Sequence, residues 1–187
     1  MKIREASAGG VVFHEGRVLV LRRKTGEWVM PKKKVEAGEL DAEAALREVK
    51  EDSGLSATIV EPLGMTHNRY PAAPNDPIHK TVRWFLMKCR EGDLEIELVF
   101  GEGRFVQPEE ALQLLTFADD QEALRKALAQ IRRKQEILGR RVAGVLNSIA
   151  IPGVAPMTWR EKLLILSIFV LAAASVIGMM VLAGSHR

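Results

Sequence analysis

The apolar positions follow a strand pattern, then a helical period, then strands again. Ala6 to Phe13 and Arg17 to Leu21 are β-rich runs joined by Glu15-Gly16, so the chain opens as a hairpin. From Asp41 a capping residue leads into Ala-Glu-Ala-Ala-Leu-Arg-Glu-Val, strong helix formers that stop at Ser53-Gly54. Ala57 to Leu63, Gly64 to Tyr70, His79 to Cys89 and Gly103 to Val106 read as further strands, with Pro71 to Pro77 as a loop too proline-rich to pair. Pro108-Glu109-Glu110 starts a short helix with proline at its first position. Asp119 or Asp120 caps a long helix whose Leu124, Leu128, Ile131, Ile137 or Leu138, and Val142 recur at helical spacing. Strands alternating with two or three helices predict an α/β fold.

At Ile151-Pro152-Gly153-Val154-Ala155-Pro156 the pattern breaks into a short stiff linker. Beyond it, residues 163–184 carry no charge. A helix of that length spans roughly 33 Å, enough for a hydrocarbon core of about 30 Å. The alternative, a buried core helix, seldom runs so far without a polar face. Trp159 stands where an interfacial anchor would, and Ala174 and Gly178 form a small-xxx-small pair. Nine Lys and Arg lie between Arg125 and Lys162 against Arg187 alone after the apolar run, so the positive-inside rule puts the larger part of the chain in the cytoplasm. The basic run itself reads either as a solvated face or as a contact for anionic lipid headgroups. The expected organisation is a domain over 1–133, a basic helical extension and linker over 134–157, and a membrane anchor over 158–187.

Composition narrows the function little. The net charge is +3 in 187 residues, so basic character is local, and no specific nucleic-acid partner is indicated. The single cysteine, Cys89, lies in an apolar run, as a buried thiol in a reducing compartment would. Charges at the N-terminus are followed by no apolar stretch before Ser7, which argues against a cleavable signal peptide.

The chemistry concentrates in the first helix. Glu48, Glu51 and Asp52 stand at i, i+3 and i+4, three carboxylates within about one turn. Like charges so placed repel unless a cation sits among the oxygens; a solvated acidic face is the plain alternative. Ala45, Val49 and Leu55 form a narrow apolar stripe expected on the side opposite the carboxylates. Just before the helix, Pro31 to Glu39 supplies Lys32, Lys33, Lys34 and Gly38, a cationic loop with a residue free to take positive φ. Hard oxygen ligands for Mg²⁺ or Mn²⁺ beside lysines for phosphate oxygens suit an anionic, metal-complexed substrate.

The stretch Lys33 to Leu55 resembles the Nudix box, a 23-residue pattern of Gly, five residues, Glu, seven residues, Arg-Glu, an aliphatic, any residue, Glu-Glu, any residue, Gly and an aliphatic. Glu39, Arg47, Glu48, Val49, Glu51, Gly54 and Leu55 match it in spacing and type. The likeness extends over about residues 4 to 130, through Glu5-Ala-Ser-Ala-Gly-Gly-Val-Val-Phe, Trp28-Val-Met-Pro-Lys, Thr81-Val-Arg-Trp-Phe-Leu-Met and Pro108-Glu-Glu-Ala. These segments look like the bacterial branch that hydrolyses diadenosine polyphosphates.

The resemblance implies an α/β/α sandwich with a mixed sheet, metal ligation by Glu48, Glu51 and Asp52, and a catalytic role for Glu51 beside a metal-bound water. It also implies a structural ion pair between Glu39 and Arg47, with Gly54 shaping the helix end. A distal catalytic carboxylate is expected from Glu102 or Glu97. Arg23, Lys32 and Lys34 are the expected phosphate contacts and Tyr70 either a base-stacking or a packing residue, while His67 and His79 read as satisfied strand residues. The implied substrate is a nucleoside polyphosphate. Lys33 in place of the box's first glycine is expected to strain the backbone if its φ is positive, and Asp52 in place of glutamate shortens a ligand by one methylene. These departures leave a rival reading, a weakened module that binds a nucleotide or phosphorylated ligand at the membrane.

Overall fold

The computed structural model describes residues 4–71, 77–90 and 94–148, together with Leu164. The hairpin forms as its turn demands: Glu15 and Gly16 both take positive φ, at 46° and 78°. That is the type I′ geometry that matches strand twist. It joins β1 (Arg4–His14) to β2 (Arg17–Arg23). Two short strands follow, β3 (Trp28–Val29) and β4 (Lys32–Lys34), then the helix α1 (Asp41–Ser53). The remaining elements are β5 (Ala57–Pro71), β6 (Pro77–Cys89), β7 (Phe100–Val106), α2 (Pro108–Leu114) and α3 (Ala118–Ser148).

The sheet runs β3-β2-β1-β6-β5, with β7 paired to β2 and β4 paired to β1. Its centre is the parallel pair β1 and β6, in register from Arg4 with His79 to Phe13 with Lys88. All other pairings are antiparallel, so the sheet is mixed, as the resemblance implied. β1 forks along its other edge. Its early residues Ser7 to Gly9 pair with β4, and Phe13 and His14 pair with β2. The lysine run is therefore strand rather than loop, and no residue of β4 has positive φ. The strain expected at Lys33 is absent for that reason.

Helix α1 lies on one face over Leu19, Leu21, Phe85 and Met87, with Ala45, Val49 and Leu55 in the same core. The fit is close: a Cβ on Gly10 would stand 2.7 Å from Met87 Sδ and 2.9 Å from Val49 Cγ2. The opposite face buries Trp84, Val18 and Val20, with Ala111 and Leu115 at α2 and Ala123, Leu124 and Ala127 at the start of α3. Trp84 is fully buried and its Nε1 donates to Thr66 Oγ1 at 2.8 Å, so its one polar atom is satisfied. Cys89 is buried, and burial pushes its thiol pKa up.

Three expectations change. Residues 57–71 are one strand, not two, because register shifts near Glu61 and Gly64 absorb the break as bulges. Asp41 is the first helical residue rather than the cap, and pairs with Arg83. The capping is done by Glu43, whose carboxylate accepts the Leu40 backbone N–H at 3.1 Å. At α3, Asp120 turns inward, accepting the Met30 N–H at 3.4 Å and pairing with Lys32.

The chain divides into two compact units, Met1–Ala129 and Gln130–Arg187. In the second, the described part is helical to Ser148, and Ile137 and Leu138 are exposed among exposed Arg132, Arg133, Arg140 and Arg141. Among the described residues no helix is long and apolar enough to cross a membrane. Apart from Leu164, the apolar run 163–184 lies outside them.

Candidate active site

Helical geometry decides which carboxylates of α1 face where. Ala45, Glu48, Val49 and Asp52 are related by steps of three and four, so they share one face. The acids are thus not opposite the apolar stripe, as the sequence suggested, but continue it: Glu48 is 0% exposed and Asp52 5%. Glu51 is turned outward, its side chain 45% exposed.

Burying a carboxylate without partners costs several kcal/mol, of order 1–3 for each unsatisfied polar atom and more for a charge. Arg47 offsets most of this. Its Nε and Nη2 donate to the two oxygens of Glu39 at 2.8 and 2.9 Å, a two-pronged pair, while Nη1 donates to Glu48 and, at 3.3 Å, to Glu51. Glu39 also accepts the Glu36 N–H at 3.0 Å, which closes the loop before the helix around Gly38 at φ 85°. Hydrogen bonds from Arg47, then from the Glu36 backbone, lower the Glu39 pKa to about 2. Glu39 and Arg47 are thus joined through both carboxylate oxygens.

One oxygen remains outside this network. Glu48 Oε2 is buried and has no hydrogen-bond partner among the described residues. Lys33 Nζ lies 3.6 Å from it and 3.6 Å from Glu51 Oε2. Burial raises the Glu48 pKa, against the nearby charges of Lys33 and Arg47. Asp52 is pushed up to about 7, first by burial and then by the charge of Glu48, with Glu97 adding to the effect. Glu97 arrives because the segment before β7 runs along the end of α1: Glu95 N–H donates to the Ser53 carbonyl at 3.0 Å and Glu97 N–H to the Asp52 carbonyl at 3.2 Å. Gly54 permits that approach twice over, with φ at 75° and a position where a Cβ would meet Glu95 Cβ at 2.7 Å.

Lys33, Arg47, Glu48 and Glu51 border an open cavity of about 670 Å³ that Lys34, Val35, Glu36 and Ala37 also line. That volume is of the size that takes a small-molecule ligand. Among the described residues no three carboxylate, imidazole or thiolate groups converge closely enough to hold a metal ion as they stand. The donor set nevertheless fits one. A buried carboxylate oxygen without a hydrogen bond among the described residues, beside a half-exposed carboxylate, is a hard-oxygen site for Mg²⁺ or Mn²⁺, and Lys33 and Arg47 are the cations now among those oxygens.

Other expected residues lie elsewhere. Lys32 is a correction: its side chain is 8% exposed, paired with Asp120 and set over the rings of Trp84 and Phe117 at 5.5 and 5.7 Å, so it offers nothing to a phosphate. Strand alternation explains this, since Lys32 and Lys33 must face opposite ways. Glu102 is a second correction. Its neighbour Gly103 faces Leu21 and Ile96 in the core beneath α1, so Glu102 projects to the other side, 3.5 Å from Arg104. Glu97, the alternative carboxylate, is the one beside Asp52. Arg23 is exposed at the end of β2, with Glu27 as its neighbouring charge, and does not border the cavity. Tyr70 belongs to β5, but its side chain and that of His79 lie outside the described residues. His67 hydrogen-bonds Thr81 Oγ1 at 3.2 Å, a satisfied strand residue.

The NUDIX domain model matches residues 3–128. The chain is 35% identical over 108 residues to the asymmetrical bis(5'-nucleosyl)-tetraphosphatase of Sus scrofa, covering 54% of this chain and 71% of that protein. It is 31% identical over 130 residues to a Mycobacterium tuberculosis (strain CDC 1551 / Oshkosh) protein with the provisional name mutator protein MutT4, covering 63% of this chain and 52% of the relative. The chain thus spans about half the length of that relative. Among solved structures, a C. elegans Ap4A hydrolase binary complex superposes with a TM-score of 0.57 at 26% identity, over 68% of this chain and 98% of that one. With the family model spanning the sheet, the loop and the carboxylate helix together, the chain belongs to the Nudix family.

Proposed function

We propose that this chain hydrolyses a phosphoanhydride bond of a nucleoside polyphosphate, with a dinucleoside polyphosphate such as a diadenosine polyphosphate as its substrate. The observation that carries the reading is the buried Glu48 Oε2, without a hydrogen-bond partner among the described residues, at the wall of a cavity that also presents Glu51, Lys33 and Lys34. The names of the Sus scrofa and C. elegans relatives point to the dinucleoside class. Glu48 and Glu51 with Asp52 would hold Mg²⁺ or Mn²⁺, which when bound would supply Lewis-acid charge to the phosphate oxygens.

The chain's own residues do the rest. Lys34 and Lys33 neutralise phosphate oxygens at the cavity mouth, as point charges on flexible stems. Arg47 positions both glutamates by holding Glu48 and Glu51 from one guanidinium while Glu39 fixes its other edge. Glu51, the outward carboxylate, accepts a proton as water attacks phosphorus. The water oxygen bonds to phosphorus, the bridging P–O bond breaks, and the leaving phosphate carries its own charge without acid assistance.

The test is incubation of the purified protein with Mg²⁺ or Mn²⁺ and a panel of diadenosine polyphosphates, nucleoside triphosphates, inositol pyrophosphates and 5'-triphosphorylated RNA. Turnover of the dinucleotides, lost by about a hundredfold or more in Glu51→Gln, supports the reading. Turnover of another class alone replaces the substrate, and turnover of none favours the binding module.

We also propose that residues 163–184 anchor the protein as a single membrane span with the catalytic unit on the cytoplasmic side. The uncharged run and the nine-to-one excess of Lys and Arg before it support this. Release of the full chain from membranes by alkaline carbonate would refute it.

A further inference from the structure

Lys33 stands where the box has glycine, and its side chain does something a glycine cannot. It departs from β4, whose pairing of Lys33 with Ala8 fixes its direction toward α1. Its Nζ rests 3.6 Å from both Glu48 Oε2 and Glu51 Oε2, beyond hydrogen-bond reach of either but central to both. The side chain is 52% exposed, so nothing locks the ammonium there except charge. Glu48 Oε2 meanwhile has no other partner among the described residues.

We propose that Lys33 is a tethered counter-ion, occupying the cation position between Glu48 and Glu51 and excluding a divalent ion from it until polyphosphate draws the ammonium away. The inference rests on the metal-dependent reading above. A positive charge at this distance opposes an incoming Mg²⁺ or Mn²⁺ twice, by repelling it and by neutralising the carboxylates that would hold it. Polyphosphate reverses both effects, because the four-carbon stem lets the ammonium swing from carboxylate to phosphate. Metal therefore enters with its substrate, and the free protein binds metal weakly.

The experiment measures Mn²⁺ alone binding to the full chain without nucleotide, by electron paramagnetic resonance of the free ion. Lys33→Met and Lys33→Gly are compared with Lys33→Arg, Lys34→Met and Glu48→Gln, with circular dichroism confirming that each is folded. Both charge-removing variants at Lys33 bind Mn²⁺ at least about tenfold more tightly than the wild type, Lys33→Arg stays weak, and Lys34→Met changes little. Equal affinity in wild type and both Lys33 variants, or an equal gain in Lys34→Met, overturns the proposal while leaving the metal site intact. Absence of Glu48-dependent binding in every variant overturns the metal-site reading and this inference with it.

Discussion

Arg47 and Lys32 have the same charge and opposite uses. Arg47 ties a loop carboxylate to two helix carboxylates at the cavity edge, whereas Lys32 is sealed beneath the sheet with Asp120. Removing one member of a buried ion pair strands the other, at a cost of about 3–5 kcal/mol, but replacing both by apolar groups is often neutral. Asp120→Leu is therefore expected to lower unfolding stability by that amount, and Lys32→Met with Asp120→Leu to recover most of it in urea titrations. No recovery would mean that the pair does more than neutralise itself. For Glu39 the sign of the pH effect follows from its lowered pKa. A carboxylate that titrates at about 2 when folded, against 4.5 otherwise, adds stability above pH 4.5 that is lost as pH falls toward 2. Wild type should exceed Glu39→Gln in urea midpoint at pH 7, and the gap should shrink by pH 3. A constant gap would refute the linkage. The spacing of Glu39, Arg47, Glu48 and Glu51 made this site readable in the sequence, because α1 fixes their relative angles. Lys32 and Glu102 were not readable, since strand alternation decides which side of a sheet a residue serves and the lysine run hid its strand.

At the scale of elements, the site is a junction among β4, the end of α1 and the segment leading into β7. Gly54 is the point where the last two meet. Gly54→Ala would put a side chain at φ 75° and against the Glu95 backbone, so a loss of more than about 1 kcal/mol is expected. Because the displaced segment carries Glu97 to Asp52, hydrolysis should fall as well, measured as kcat with substrate saturating. Lost stability with unchanged kcat would separate Glu97 from the chemistry. The hairpin, α1 and the proline start of α2 were legible from local signals: a turn, a helical period with its stop, and a proline at a first helical position. The parallel pairing of β1 with β6 was not, because it joins residues about 75 apart whose contact no local pattern encodes. The bulged continuity of β5 was likewise hidden, since Gly64 reads as a break until its partner strand is present.

For the molecule as a whole, the functional groups named above all fall within Met1–Ala129. The second unit contributes a basic helical stretch and the uncharged run 163–184. If the proposed anchor does no chemistry, hydrolysis and membrane attachment separate on truncation. A chain ending at Ser148 keeps all of α3 and every residue bordering the cavity. It is expected to hydrolyse the same substrate with kcat/KM within about threefold of the detergent-solubilised full chain, a difference under 1 kcal/mol. The full chain should float with liposomes in a density gradient and resist extraction by salt, because burial of some twenty apolar residues does not depend on ionic strength. The truncated chain retains Arg132, Arg133, Lys134, Arg140 and Arg141, so any residual flotation should require anionic lipid and vanish at high salt. Salt-resistant flotation of the truncated chain would place the attachment in the catalytic unit. Loss of hydrolysis on truncation, with folding intact, would show that the C-terminal unit serves the site as well as the surface it rests on.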